Sequence, residues 1–435
     1  MDRRQFVAGL ATVAGTASAA GELAINGGTP VRSTPIRGEN WGTSFYDDKE
    51  IAEVTATVNG HHPFRFDGGA SQVQEFEKEF AAHMQTKYAL AVTSGTAALE
   101  VAVTALGLGP GDEVIIPAYC WHSDAMAVVR AGALPVFAEI DESFNIDPND
   151  IEQRITPNTK CIIAASLIGC PADLDKILAI AKKHNLKVLE DSAQSVGASY
   201  KGKPTGSMGD IGIYSHQESK TITSGDGGSV VTNDPVLIER ACRFHNVGSM
   251  DRPHQTLLGN SSGMVPFVSA NFRMNEFTGG IMLAQIRKLD TIIAAARKNA
   301  AKVYAGVRDL PGIRFRLLPD PEGDCCRQIF VRFNDTEHCD KFSAAMRAEG
   351  VAVGKPGGSV LLPGQSYIVN KVTHNPAWPT WNSPRGKAIE YGTANYPRTV
   401  DILQRFAGPS MHPKHTDQDV ADIIAAIRKV YPQVA

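Results

Sequence analysis

Short apolar runs alternate with amphipathic stretches through the first half of the chain. Ala89-Leu90-Ala91-Val92-Thr93 reads as a buried strand, followed by a helix from Ala97 to Leu106. The turn Gly109-Pro110-Gly111-Asp112 leads into a strand at Glu113 to Ile116, then a helix from Ser123 to Ala131 and a strand at Leu134 to Ala138. Further strands are predicted at Cys161 to Ala165, Lys187 to Leu189, Ile211 to Tyr214 and Ser229 to Thr232, with Asp173 to His184 helical between the first two. Strands this continuously apolar are covered on both faces, so the alternation predicts an α/β fold with a mostly parallel sheet between helices.

Past Asn275 the period becomes helical and runs to about Arg308, where Leu310-Pro311-Gly312 stops it. The texture then changes. Arg327 to Phe333 reads as a strand and Glu337 to Glu349 as an amphipathic helix. Loops follow at Pro356 to Gly358 and Pro363 to Gly364. The chain closes on a helix, Thr416 to Val430, with Asp417, Asp419 and Asp422 near its start and Arg428-Lys429 at its end, the charge order a helix dipole favours. A smaller α/β domain over residues 301–435 is expected.

A chain of 435 residues with 43% hydrophobic composition buries a large core, in two domains rather than one. The formal net charge of -3, with no basic run, argues against nucleic acid as a partner. No apolar stretch of spanning length follows the N-terminus, so no membrane is expected for the mature protein. The seven cysteines form neither a paired framework nor a double C-x-x-C and read as buried small hydrophobes. No His/Asp/Glu spacing suggests a metal. The N-terminus differs from the rest. Arg3-Arg4-Gln5-Phe6-Val7, a short Ala/Val/Gly-rich stretch and Ala17-Ser18-Ala19 have the form of an export signal, similar to the twin-arginine kind. A mature start near Ala20 and a periplasmic location are expected, with the cytoplasm as the alternative.

Candidate chemistry gathers at the strand ends. Ser94-Gly95-Thr96 lies between a strand and a helix, and is either a simple helix cap or a cradle whose free N–H groups bind an anion. Glu190-Asp191-Ser192 ends another strand, where an acid either caps the next helix or faces a ligand. Lys220 lies between a strand and the glycine-rich turn Ser224-Gly225-Asp226-Gly227-Gly228. Burial and a nearby cation would there favour the neutral amine that forms an imine. His61-His62-Pro63-Phe64-Arg65-Phe66-Asp67 is either a surface loop or a segment in which Arg65 meets an anionic substrate.

Taken together, Asn26-Gly27-Gly28-Thr29-Pro30-Val31, Ser94-Gly95-Thr96-Ala97-Ala98-Leu99, Gly109-Pro110-Gly111-Asp112-Glu113-Val114, Glu190-Asp191-Ser192-Ala193-Gln194, Tyr214-Ser215-His216-Gln217-Glu218-Ser219-Lys220 and Asn271-Phe272-Arg273-Met274-Asn275-Glu276 resemble the DegT-type sugar aminotransferases, a branch of the fold-type I pyridoxal-phosphate enzymes. Some of these stretches look like the 3-amino-5-hydroxybenzoate synthase and aminocyclitol branch. The resemblance implies a large domain, residues 21–300, with an N-terminal arm and a mostly parallel seven-stranded sheet, beside the smaller domain 301–435. It implies pyridoxal 5'-phosphate held as a Schiff base on Lys220, which also moves the substrate proton. Asp191 would pair with the ring nitrogen and Gln194 lie near the ring hydroxyl. Trp121, otherwise an ordinary core tryptophan, would stack on the ring. Gly95, Thr96 and Ser215 would bind the phosphate. Asn271, otherwise a turn residue, would reach the phosphate of a neighbouring subunit, making a homodimer with shared active sites.

The activity implied is transfer of an amino group from glutamate or glutamine to a keto-sugar or keto-cyclitol. Sugar dehydration, an aromatising elimination and a non-catalytic binding or regulatory role are the alternatives. Ser166 and Cys170 stand where relatives often have histidine and glutamine, and Asp226 where glutamate is usual, so the substrate is less constrained than the cofactor. A role for His216 is left open.

Overall fold

In the computed structural model, residues 21–36, 40–66, 71–259, 263–357 and 359–434 are described. The leader-like segment 1–20 and Asp67 lie outside them. Each predicted strand of the first half forms. They are β1 (Tyr88–Val92), β2 (Glu113–Pro117), β3 (Leu134–Ala138), β4 (Thr159–Ala165), β5 (Lys187–Asp191), β6 (Ile211–Ser215) and β7 (Gly228–Thr232). They make one seven-stranded sheet in the order β1-β7-β6-β5-β4-β2-β3. The five strands from β6 to β3 run parallel, while β7 is antiparallel to both β1 and β6. Pro135, which has no N–H for a ladder, falls in β3 at the sheet edge.

This order brings the carboxyl ends of β1, β2, β5 and β6 to one rim of the sheet. Ligands of open α/β sheets gather at such a rim. The helix Gly95–Ala105 springs from β1 there, and its Ala98, Val101 and Ala102 are fully buried. Small residues let that helix approach the sheet closely.

The C-terminal part builds a second, three-stranded antiparallel sheet from Val331–Arg332, Phe406–Pro409 and Val353–Gly354, covered by the helices Thr336–Ala348 and Asp417–Val434. Its core also draws on Leu23 and Ile36 from the N-terminal arm and on Val303 and Val307. The stretch between Val360 and Gln404 goes the other way. Leu362, Ile368, Trp381 and Tyr396 pack into the core of the large sheet, and Val360–Leu361 pairs with Tyr119–Cys120.

Two local expectations change. The long helical pattern after Asn275 is two helices, Glu276–Ile286 and Leu289–Val307. The break falls at Lys288, whose ammonium is tied to Glu50 (2.7 and 2.8 Å) and to the Phe45 carbonyl (2.8 Å). That long-range anchor leaves the apolar period intact and so leaves no local trace. The strand read at Arg327 to Phe333 shrinks to Val331–Arg332, because Arg327 and Gln328 turn toward the sheet rim and its cleft. Among the described residues no helix is long and apolar enough to cross a membrane. The cysteines are free, and all are buried except the half-buried Cys326.

Candidate active site

A cleft of about 620 Å³ opens at the sheet rim, within the range of small-molecule sites. Gly95, Thr96, Trp121, Asp191, Gln194, Ser215 and Lys220 all line it.

The Ser94 hydroxyl caps the helix Gly95–Ala105 by accepting from the Ala97 N–H at 3.1 Å. The first N–H groups of that helix have no intrahelical acceptor and carry the positive end of its dipole. Gly95 is required by close approach: a Cβ there would lie 2.7 Å from the Ser215 Cβ and 3.0 Å from its Oγ. The Thr96 and Ser123 hydroxyls are 2.7 Å apart. Backbone N–H groups and hydroxyls thus converge where an anion would sit. Trp121, just past β2, is 48% exposed and faces the cleft, so it is not a core tryptophan.

Asp191 ends β5 and is buried; its carboxylate accepts from the Ala193 N–H at 2.8 Å. Burial raises its pKa, opposed by the Ala193 N–H and by Lys220. Lys220 lies in the turn after β6, its backbone fixed by the bonds Lys220 N–H to Gln217 C=O (2.9 Å) and Gly42 N–H to Lys220 C=O (3.3 Å). Burial, and then the Arg327 guanidinium, bring the Lys220 amine down from 10.5 to about 8, while Asp191 and Cys120 pull the other way. A lysine in this state offers a nucleophilic amine near neutral pH.

Gln194 clamps a strained turn. Its Oε1 accepts from the Ile168 N–H at 3.1 Å, its carbonyl accepts from Gly169, and its Nε2 donates to Ser359 at 2.9 Å. Ile168, a β-branched residue at φ 52°, also lines the cleft. Backbone strain of this kind clusters at functional sites. Ser166 is buried and accepts from the Ala172 N–H at 3.1 Å.

Three residues singled out in the sequence lie elsewhere. Asn271 is exposed, forms a bridge with Asn246, and does not line this chain's cleft. Arg65 is 2% exposed and is spent inside the protein: it donates to Glu77 at 2.8 and 2.9 Å and to the Ala91 carbonyl at 3.2 Å. It meets no substrate in this arrangement. His216 points to the other side of the sheet, between Phe76 and Phe80, with Nε2 2.8 Å from the Ser229 hydroxyl. Burial drops it to about 3, so it stays neutral.

Two residues of the site had escaped notice. Arg327 lies over Trp41, its guanidinium carbon 4.8 Å from the ring centroid. It donates to the Thr221 hydroxyl (3.1 Å) and the Ser219 carbonyl (2.8 Å) and has no carboxylate partner among the described residues. Asp124, fully buried behind Asp191, accepts from the Cys120 thiol at 2.9 Å. Neither has a local motif. An acid in the first turn of a helix is ordinary dipole complementation, and Arg327 reaches the cleft only through the fold.

The fold and this rim of a helix N-terminus, an acid and a buried lysine point to a class, the aminotransferases, which comparison with known proteins bears out. Residues 46–355 match the model of the DegT/DnrJ/EryC1/StrS aminotransferase family, and the chain belongs to that family. It is 32% identical over 385 residues to the spore coat polysaccharide biosynthesis protein SpsC of Bacillus subtilis, covering 88% of this chain and 94% of that one. It is 31% identical over 424 residues to a Micromonospora echinospora protein provisionally assigned as an L-glutamine:3-amino-2,3-dideoxy-scyllo-inosose aminotransferase, covering 94% and 97%. The solved structure of 3-amino-5-hydroxybenzoic acid synthase shares the fold, with a TM-score of 0.75 at 24% identity over 92% of this chain and 100% of that one. The protein is an aminotransferase.

Proposed function

We propose that this enzyme binds pyridoxal 5'-phosphate on Lys220 and moves an amino group from glutamate or glutamine to a keto-sugar or keto-cyclitol. The observation that carries the reading is Lys220 lining the same cleft as a buried acid, with an anion cradle at its rim. The residues fit the cofactor: a Cβ on Gly95 would fill the cradle, and the buried acid suits a protonated ring nitrogen. When bound, the cofactor supplies an aldehyde carbon and an electron-withdrawing ring.

The chain's own groups do the rest. Lys220 would hold the cofactor through its amine, and the same amine would accept and return the proton of the carbon being aminated. Asp191 would keep a ring nitrogen protonated; Gly95, Thr96 and Ser215 would hold the phosphate; Trp121 and Gln194 line the cleft where they would hold the ring. Arg327, held over Trp41 and with no carboxylate partner among the described residues, receives a carboxylate of the amino donor.

The site is shared between two copies in this reading. Support comes from Asn271, exposed beside the strongly exposed Val265 and Val268, a surface that suits cover by a second copy. The boundary near residue 300 and export of the folded holoenzyme behind the Arg3-Arg4 leader belong to the same reading. N-terminal sequencing of fractionated cells tests the export: a mature start near Ala20 supports it, and an intact Met1 in the cytoplasm overturns it.

The functional test is a half-reaction screen. Purified holoprotein is mixed with glutamate, glutamine and control amines while the cofactor absorbance is followed. Bleaching by the two donors, reversed by a keto-sugar or keto-cyclitol, is expected. Loss of water from a sugar without net amination would instead identify a dehydratase.

A further inference from the structure

Cys120, Asp124 and Asp191 each place one heteroatom within 4.8 Å of the others, and all three side chains are buried. The Oδ2 of Asp124 takes the Cys120 S–H at 2.9 Å, and its Oδ1 has no donor among the described residues. Two buried carboxyls therefore lie close together, and Lys220 is a cation that acts on Asp191. Both cannot be charged: a buried pair of like charges this close keeps a proton on one member.

The surroundings decide which. Asp191 accepts a backbone N–H from Ala193 at 2.8 Å and feels Lys220, and both favour its charged form. Asp124 has a thiol, a weak donor, and its own backbone N–H, and no cation. Burial and then Asp191 push the Asp124 carboxyl well above the usual range, whereas its contact with Asp124 works to keep Asp191 ionised.

We propose that Asp124 is a protonated carboxylic acid whose O–H donates to Asp191, making it the positioning residue that fixes Asp191 as the charged partner of the cofactor ring. The part concerning the ring rests on the function proposed above; the location of the proton does not. The three groups form a one-way chain, with the Cys120 S–H donating to Asp124 and the Asp124 O–H donating to Asp191. Asp191 then accepts from Asp124 and from the Ala193 N–H, which leaves lone pairs for a donor in the cleft. A hydrogen bond to a carboxylate also lowers its basicity, so a proton shared between Asp191 and a ring nitrogen stays on the nitrogen.

The arrangement separates two substitutions of similar size. Asp124→Asn keeps a neutral donor for Asp191 and an acceptor for the Cys120 thiol. Asp124→Leu keeps the volume and removes both. Infrared difference spectroscopy on the apo protein at neutral pH is expected to show a carboxylic-acid C=O band that vanishes in D124N. The S–H band of Cys120 keeps a hydrogen-bonded position in D124N and moves to the free position in D124L. In the reconstituted protein, D124N binds pyridoxal phosphate within about threefold of wild type, while D124L binds it about tenfold more weakly or worse, the loss of one hydrogen bond to a charged group. The pH titration of the cofactor absorbance shifts in D124L and not in D124N. Circular dichroism establishes that both variants are folded.

Absence of an acid band removable by D124N overturns the proposal, as does D124N matching D124L in a folded protein. An acid band present in a protein that takes up no cofactor would retain the shared proton and overturn the functional reading instead.

Discussion

Capture of pyridoxal phosphate by the apo protein follows the fraction of Lys220 present as neutral amine, because only the lone pair attacks an aldehyde. Burial and the neighbouring Arg327 bring this amine to about 8 from 10.5. At about pH 7.5 roughly a quarter of the molecules then carry a reactive amine, against about one in a thousand for an unshifted lysine, a gain of about two hundredfold. Stopped-flow absorbance across a pH series reads this directly, with a free amine run in parallel to remove the cofactor's own titration. The capture rate is expected to rise with pH and to reach half its plateau near 8. Arg327→Gln removes a cation from beside the amine and moves the midpoint up. Asp191→Asn removes an anion and moves it down. A wild-type midpoint near 10.5, or a midpoint indifferent to both substitutions, refutes the electrostatic reasoning.

Other outcomes follow from the same structure. Lys220 is depressed in the folded chain, so its cost to stability is complete below pH 8 and disappears as pH climbs toward 10.5; Lys220→Met is expected to stabilise the apo protein at neutral pH by up to about 3 kcal/mol, seen as a raised Tm whose excess fades in alkali. Although burial works to raise Glu77, Arg65 and its other partners hold it near 2, so its contribution is present above about 4.5 and lost as pH falls toward 2. Glu77→Gln strands the Arg65 charge and is expected to cost about 3–5 kcal/mol in urea unfolding at neutral pH. Gly95→Ala pushes on Ser215 and weakens cofactor binding about tenfold or more through the lost phosphate contact, measured by equilibrium titration of the apo protein. His216→Leu keeps turnover near the wild-type value, against the loss of about a hundredfold or more that removing a proton-transfer group brings.

The residues that were legible in the sequence share a physical property: each sits at the end of a strand, where the chemistry follows from local order. Ser94-Gly95-Thr96, Trp121, Asp191, Ser215 and Lys220 lie beside the carboxyl ends of β1, β2, β5 and β6, and parallel strands bring those ends to one rim. The sheet itself was readable because its strands are apolar on both faces. What failed to show was set by long-range pairing. The sequence leaves Arg65 open between a surface loop and a substrate contact, because its partner Glu77 lies on a helix beyond the loop. His216 adjoins Ser215 on an extended segment, so its side chain takes the opposite face. The break at Lys288 depends on Glu50, and Arg327 comes into view only once the second sheet has folded against the first. Asp124 is locally an ordinary first-turn helix acid; its burial beside Asp191 is a property of two strands and a helix together.

The most direct measurement of the central claim is covalent trapping. Holoprotein reduced with borohydride, digested and analysed by mass spectrometry is expected to carry the reduced cofactor on the peptide containing Lys220, with the label absent from Lys220→Ala. A label on another lysine, or none in a protein that holds the cofactor, would contradict the account.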